Sequence, residues 1–197
     1  KCTCYMENSI ECIAISDRGL PLLSDCDTLT AAEDFWHMDR IAEFNVLIYV
    51  TAGTMYVTEN GCDYAINPGE LLFLKSGLRH FGRHPTLRGT RWIYAHFRIA
   101  DGQCGGNTAA LPKKICGLSG STIEEKLFRL CEYFHSPARL CGVDEILRHM
   151  ALFRALRLIP EHAVLIRNDR IVDDVLVFFD ESCRPVCGHW NLFLRFH

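Results

Sequence analysis

The sequence predicts an α+β fold, in which a small antiparallel β-barrel or sandwich is followed by an antiparallel pair of helices. Two observations support this fold class. Between residues 45 and 98, short apolar or alternating segments are separated by tight-turn residues at even spacing. From Ser121 onwards, apolar residues recur at intervals of three and four, which is the period of a helix packed along one side.

The composition is that of an ordinary globular protein and argues against two function classes. The 197 residues are 49% hydrophobic and 23% charged, and 21 Lys+Arg against 24 Asp+Glu give a formal net charge of -3. No segment has the roughly 18 consecutive apolar residues of a membrane-spanning helix. A self-sufficient nucleic-acid binder usually carries a surplus of Lys and Arg, and this chain does not.

The eleven cysteines predict a reduced, cytoplasmic chain. Their odd number and wide scatter do not suit a disulfide framework, and the first residues lack the pattern of a signal peptide. Zinc is the alternative, and Cys183, Cys187 and His189 come closest to ligand spacing, but a fourth ligand is missing. We therefore expect no metal and no other cofactor.

The strand signals are strongest in the first half of the chain. Residues 46–50 form a buried-strand run, and residues 54–59 alternate between apolar and polar side chains. Asn60-Gly61 then predicts a two-residue hairpin, because both positions must tolerate positive φ. Further strands are expected at 62–66, 71–74 and 90–98, and the last of these places Trp92, Tyr94 and His96 on one face.

Weaker signals surround these strands. Residues 1–34 are interpreted as an arm with one or two strands, and the glycine-rich stretch 101–120 as a loop or linker. Residues 1–100 are thus assigned to the barrel with its arm.

Two helices are expected between residues 121 and 160. Ser121-x-x-Glu124 is a capping box, and it is followed by an apolar stripe. The second helix starts at Asp144, is stopped by Pro160, and offers a less regular stripe. The two predicted stripes are Ile123, Leu127, Leu130 and Phe134 in the first helix, and Ile146, Leu147, Met150 and Phe153 in the second, with Leu156 and Leu158 near its end.

A spacing between residues 69 and 80 resembles the second cupin motif. Gly69, Gly77 and His80 occupy its positions, and Lys75 stands where the motif has proline. The resemblance implies a cupin-like β-barrel of jelly-roll type with His80 inside it.

The first cupin motif, which supplies most of the metal ligands in cupin enzymes, is missing. The strand at 44–51 contains no histidine, and the nearby His37 and Glu43 are in the wrong register. A metal-dependent cupin enzyme would therefore have to use His80 and His84, with His96 as a third ligand. No nucleophile elbow, phosphate loop or catalytic carboxylate pair is present either, so we do not expect an enzyme.

The order of motifs between residues 35 and 98 resembles the N-terminal sensing domain of AraC-family transcription regulators. The matching segments are His37 to Arg40, Leu47 to Gly53, Asn60-Gly61, Pro68 to Leu74, His80 to Pro85, and Trp92 with His96 to Arg98. The helices at 121–160 fit the position and length of the family's dimerisation helices. The resemblance therefore implies a homodimer that binds a small-molecule effector in a bacterial, cytoplasmic regulator.

The resemblance also implies the ligand-binding residues. Family members that bind a sugar hold it inside the barrel, and the corresponding positions here are Arg40, Phe81, Trp92 and Tyr94. To these we add the barrel histidine, His80, and His96, which shares a strand face with Trp92 and Tyr94. Arg40 offers donors for a carboxylate or for vicinal hydroxyls, and Trp92 and Tyr94 form an aromatic wall. Phe81 lacks a hydroxyl and Trp92 replaces a histidine, so arabinose itself is not expected. The alternative is a barrel filled by Trp92 and Tyr94 as core.

The C-terminal residues match the family least. Residues 161–197 are interpreted as the start of a truncated C-terminal domain, because 171–185 resembles the leading helix of the family's DNA-binding domain and 187–197 does not continue it. This segment has six acids against four arginines, whereas phosphate contacts need a surplus of cations. DNA would be bound only through a helix-turn-helix domain outside this chain. A sensor acting through protein contacts alone remains open as a further alternative.

Overall fold

The computed structural model of the chain describes residues 13–16, 20–99, 108–135 and 149–159. In chain order, its elements are β1 (Ile13–Ser16), β2 (Leu22–Thr30), β3 (Arg40–Ile41), β4 (Asn45–Ala52), β5 (Met55–Glu59), β6 (Cys62–Ile66), β7 (Glu70–Leu74), β8 (Arg79–Phe81), β9 (Arg91–Arg98), β10 (Thr108–Leu111), β11 (Lys114–Ile115), α1 (Thr122–His135) and α2 (149–159). Residues 1–12 of the predicted arm, the first residues of the second predicted helix, and the C-terminal stretch with the segment 171–185 lie outside the described residues.

Two antiparallel sheets form the barrel. The five-stranded sheet has the order β11-β7-β4-β9-β2, and the four-stranded sheet has the order β3-β8-β5-β6. Strands β1 and β10 pair separately. Apolar side chains from both sheets meet between them, so the sheets enclose a common interior. The predicted fold class is confirmed: a cupin-like barrel of jelly-roll type is followed by helices.

The β5–β6 hairpin turns where the sequence predicts. Glu59 pairs with Cys62, and the two residues between them have positive φ, 48° at Asn60 and 81° at Gly61. This is the mirror-image turn whose twist matches that of the strands. Glycine costs nothing in this conformation, and asparagine tolerates it better than other residues with a Cβ.

The five-stranded sheet is buried on both of its faces. In β9, Ile93, Ala95 and Phe97 face outward and are fully buried under the helices. The alternate residues of β9 face the barrel interior and are half-buried. Two layers therefore depend on one sheet, which explains why β4 reads as a continuous apolar run.

Helix α1 covers the outer face of this sheet. Its buried residues Ile123, Leu127 and Leu130 belong to the predicted stripe. The N-terminal cap also forms, because the Ser121 hydroxyl accepts a hydrogen bond from the Glu124 N–H at 3.2 Å. The Glu124 carboxylate departs from the expected box. It accepts the N–H of Gly120 instead of that of Ser121, and it accepts the hydroxyl of the sheet residue Tyr49 at 2.7 Å.

Strand β2 is joined to both helices. The Leu23 N–H donates to Nδ1 of His149 in α2 at 2.9 Å, beside a bulge in the pairing of β2 with β9. Three residues further on, the Cys26 thiol lies 3.2 Å from the Cys131 thiol of α1, and both side chains are buried. The contact with Cys131, followed by burial, raises the pKa of Cys26, so its protonated thiol form is favoured.

The sequence-based expectations need correction at three segments. The loop expected over 101–120 is wrong for 108–111 and 114–115, which are β10 and β11. These strands are short, and their main-chain pairing with β1 and β7 does not depend on strong strand formers. By contrast, β1 and the nine-residue β2 agree with the one or two strands expected within residues 1–34.

The third correction concerns α2. Among its described residues, the buried ones are Leu152, Ala155, Leu156 and Ile159 together with His149, whereas Met150 and Phe153 of the expected stripe are only half-buried. The Arg157 guanidinium lies over the Phe153 ring, 5.9 Å from its centre. Both sides of this helix carry large apolar residues, so periodicity alone does not identify the side that packs.

No described helix is long and apolar enough to cross a membrane.

Shortening Leu127 tests the packing of α1 on the sheet. We expect Leu127→Ala to lower the free energy of unfolding by about 2–5 kcal/mol, because the side chain is fully buried and leaves a cavity. Urea denaturation measures the change. Glu132→Ala, at an exposed position of the same helix, should stay within about 0.5 kcal/mol of the parent. A loss no larger than that of the control would contradict the packing described.

Candidate functional site

The barrel interior is divided into an apolar part and a polar part. The apolar part contains fully buried side chains from both sheets, namely Val46, Ile48, Val50, Met55, Val57, Ile66, Leu72 and Leu74. The polar part lies where β3 and β8 of one sheet approach the ends of β2 and β9 of the other. Its charged and aromatic groups are the candidate functional site.

Arg40 and His80 form the centre of the polar part. They are opposite each other in the β3–β8 ladder, and the Arg40 Nε–H donates to Nε2 of His80 at 3.0 Å. His80 is 1% exposed. Burial, followed by the nearby Arg40 cation, lowers the pKa of His80 to about 4. The ring is thus neutral at pH 7, as accepting a hydrogen bond at Nε2 requires.

His37 is held against His80 by the main chain. Its carbonyl accepts the Gly82 N–H at 3.0 Å, and a Cβ on Gly82 would lie 2.5 Å from the His37 nitrogen. The two imidazole rings are 5.3 Å apart. Burial, then His80 and Arg40, lower the pKa of His37 to about 3. Its Nε2 is buried and has no hydrogen-bond partner among the described residues.

The opposite wall is built by β9 and β2. The Tyr94 hydroxyl donates to Oδ2 of Asp25 at 2.8 Å, and Nδ1 of His96 lies 3.6 Å from the same oxygen. Burial and the bond to Asp25 raise the pKa of Tyr94, so the phenol stays protonated. Burial, followed by Arg40, lowers the pKa of His96, and Asp25 partly opposes this shift.

Phe44 connects the two walls. Its ring centre is 4.4 Å from that of His96, and the Arg40 guanidinium lies 5.3 Å from it on the other side. These contacts form one continuous group across the barrel, which we call the barrel-end cluster. It consists of Asp25, His37, Arg40, Phe44, His80, Tyr94 and His96.

Four of the six residues predicted to bind a ligand lie in the barrel-end cluster: Arg40, His80, Tyr94 and His96. Trp92 faces the same interior but packs on Phe35, at 5.5 Å between ring centres, beside the apolar part. Phe81 is separate, because alternation along β8 turns it to the outer surface when His80 points inward. There its ring lies between the guanidinium groups of Arg79 and Arg83.

The three histidines of the metal hypothesis are not brought together. His84 is exposed on the outer surface, where its ring lies 5.8 Å from that of Tyr56. Within the part of the chain that the structure describes, no group of three or more His, Cys, Asp and Glu residues is placed to share a metal ion. The barrel-end cluster offers hydrogen bonds, a cation and aromatic faces to a ligand.

Sequence reasoning missed Asp25, His37 and Phe44. The signal for His37 is present, since it begins the segment His37 to Arg40 that resembles the AraC family, but its pattern names it as a site residue only for a metal, in the wrong register. Phe44 immediately precedes a predicted strand, and Asp25 lies in the edge strand that was not resolved from the sequence. Only the pairing of β2 with β9 reveals that Asp25 faces His96.

The AraC-like ligand binding domain family has a model that matches residues 33–156, more than half of the chain. An uncharacterized HTH-type transcriptional regulator, YisR of Bacillus subtilis (strain 168), is 36% identical over 61 residues. This match covers 31% of the present chain and 21% of the relative, so the chain spans about a fifth of the length of that relative.

The similarity to solved structures is weaker. KdgF from Halomonas sp. is 16% identical, with a TM-score of 0.33 over 38% of this chain and 67% of that one. The EutQ protein of Clostridium difficile is 18% identical, with a TM-score of 0.31 over 45% of this chain and 64% of that one.

The buried histidines predict that the free energy of unfolding changes with pH at values above those at which carboxylates titrate. Unfolded histidine titrates near pH 6.5, whereas folded His80 and His37 titrate at about 4 and 3. Between pH 6.5 and 5 the unfolded chain therefore binds protons that the folded chain does not. The free energy of unfolding should therefore fall as the pH is lowered through this range, by up to about 1.4 kcal/mol per pH unit for each histidine.

Urea denaturation at pH 7, 6 and 5 measures this slope. His80→Gln should reduce it, because one of the buried histidines with a lowered pKa is removed, whereas His84→Gln changes an exposed ring outside the barrel and should leave it as in the parent. Equal slopes for the parent and His80→Gln would show that His80 is not held neutral by the fold.

Proposed function

The chain belongs to the family of AraC-like ligand binding domains, and from this premise we propose that it is the effector-sensing and dimerisation part of a bacterial transcription regulator. The motif order between residues 35 and 98 had led us to expect this family. A small molecule would bind in the barrel and control DNA binding by a helix-turn-helix domain outside this chain. The proposed location is the cytoplasm, and the proposed role is sensing, not catalysis.

One observation supports this proposal most. The barrel-end cluster places a cation, neutral imidazoles and aromatic rings at one end of an interior that is otherwise apolar. Such a combination of a few convergent polar groups with apolar walls is typical of small-molecule sites. We propose Arg40, His80, Tyr94 and His96 as direct ligand contacts, with Trp92 as the wall next to the apolar part. Phe81 would act only from outside the barrel.

The proposed dimer uses the helices at 121–160. The buried stripe of α1 already packs on its own barrel, so self-association must use the opposite side of the helix. Phe128 is 41% exposed on α1, and Glu125 and Arg129 pair beside it at 2.8 Å. An exposed aromatic residue next to a paired charge suits the centre of an interface between copies.

Ligand binding in the barrel is tested by thermal unfolding with a panel of sugars and small metabolites. We expect at least one compound to raise Tm, because binding only to the folded state stabilises it. His96→Ala should reduce this Tm shift, since the ring lies between Phe44 and Tyr94. Arg98→Ala, at the exposed end of the same strand, should leave it unchanged. A shift that is the same in both variants would place the ligand elsewhere.

Dimerisation is tested by sedimentation velocity at micromolar concentration. Phe128→Glu should shift the protein from dimer to monomer, because it introduces a charge into the proposed interface. Leu87→Glu provides the control, since Leu87 is 58% exposed but lies outside the helices. A parent protein that sediments as a monomer, or a Phe128→Glu variant that remains a dimer, would contradict the proposed interface.

A further inference from the structure

Arg40 differs from every other arginine that the structure describes. Arg40 is half-buried, whereas the other described arginines are all exposed. Several exposed arginines have acidic partners, as Arg79 has Asp39 at 2.6 Å and Arg83 has Asp63 at 3.1 Å. No carboxylate among the described residues lies within 4 Å of the Arg40 guanidinium.

The groups around Arg40 do not neutralise it. It donates to a neutral imidazole and lies over an aromatic ring, and neither carries a negative charge. The same cation contributes to the lowered pKa of all three histidines in the barrel-end cluster. A cation withdrawn from water without a counter-ion is costly, so this position favours the arrival of an anion.

The carboxylates closest to the site are engaged elsewhere. Asp25 accepts the Tyr94 hydroxyl and lies next to His96 on the far wall. Glu59 is opposite His80 in the ladder, but it forms a buried ion pair with Lys113 and accepts the Lys75 N–H at 2.7 Å. Among the described residues of the cluster, the Arg40 charge therefore has no counter-charge, and an incoming anion would balance it.

The geometry specifies how an anion would be held. The Arg40 Nε is used by His80, which leaves the two terminal nitrogens of the guanidinium for a ligand. A carboxylate matches such a pair of donors better than a single hydroxyl does. The buried Nε2 of His37 has no hydrogen-bond partner among the described residues, and the His37 ring lies next to that of His80. In its N–H tautomer, it donates a further hydrogen bond to the same group.

We propose that the effector is a small carboxylic acid, whose carboxylate pairs with Arg40 and His37 and whose body lies against Phe44, Tyr94 and His96. This inference rests on the proposed function, since it names the ligand class of that site. It decides between the two ligand chemistries that the sequence left open for Arg40, a carboxylate and vicinal hydroxyls.

The test compares acids with matched neutral compounds at constant ionic strength. The probes are galacturonate against galactose, glucuronate against glucose, and benzoate against benzyl alcohol, with Tm and calorimetric titration as readouts. At least one acid should raise Tm more than its neutral partner does. Arg40→Gln should weaken binding of that acid by about tenfold or more, the usual range for a lost charge-assisted hydrogen bond.

Two further variants keep the result interpretable. Arg40→Lys retains the charge but not the paired donors and should bind the acid with intermediate affinity, which also covers the case in which Arg40→Gln does not fold. Arg83→Gln removes an arginine from the outer surface and should bind as the parent does. An acid effect that survives unchanged in Arg40→Gln would overturn the inference.

The outcomes separate this inference from the proposed function. If a neutral compound raises Tm through His96 while no acid binds in an Arg40-dependent way, the barrel is a ligand site but the inference is wrong. If neither acids nor neutral compounds raise Tm, the proposed function fails with it.

Discussion

The structure depends on one sheet that must be buried on both faces. Strands β4, β7 and β9 turn alternate side chains to the barrel interior and to the helices, so neither layer forms without the other. Tyr49 illustrates this dependence, because its ring is buried in the outer face while its hydroxyl reaches Glu124 at the start of α1. The position of α1 is thus determined by a strand whose other face supplies the apolar part of the interior.

The interior tolerates polar groups because most of them are matched. His80 accepts from Arg40, Tyr94 donates to Asp25, and Glu59 pairs with Lys113. Among the described residues, the unmatched groups of the barrel-end cluster are the Arg40 charge, Nε2 of His37 and Nδ1 of His80. Natural proteins satisfy nearly all buried polar atoms, so these unsatisfied groups are the place at which we propose that a ligand binds.

Much of the fold could be predicted from the sequence, because local chemistry determined it. The Asn60-Gly61 turn, the runs of β4 and β7, and the cap of α1 each follow from residues close together in the chain. Strands β2, β10 and β11 could not be predicted in this way, since long-range pairing holds them in place. The same limit applies to the candidate site. Arg40 and His80 come from recognisable motifs, whereas Asp25 comes to His96 only through pairing across 71 positions.

The edge position of β2 has a mechanical consequence. Closely spaced residues of this strand contact different parts of the molecule. Leu23 donates a hydrogen bond to α2, Asp25 accepts one from Tyr94 in the barrel-end cluster, and Cys26 contacts α1. Only two soft dihedrals per residue separate such neighbours, and pairing with β9 restricts them further. Movement of Asp25 towards or away from an occupant of the barrel therefore pulls directly on the thiol contact one residue away. Strand β2 therefore connects the interior of the barrel directly to both helices outside it.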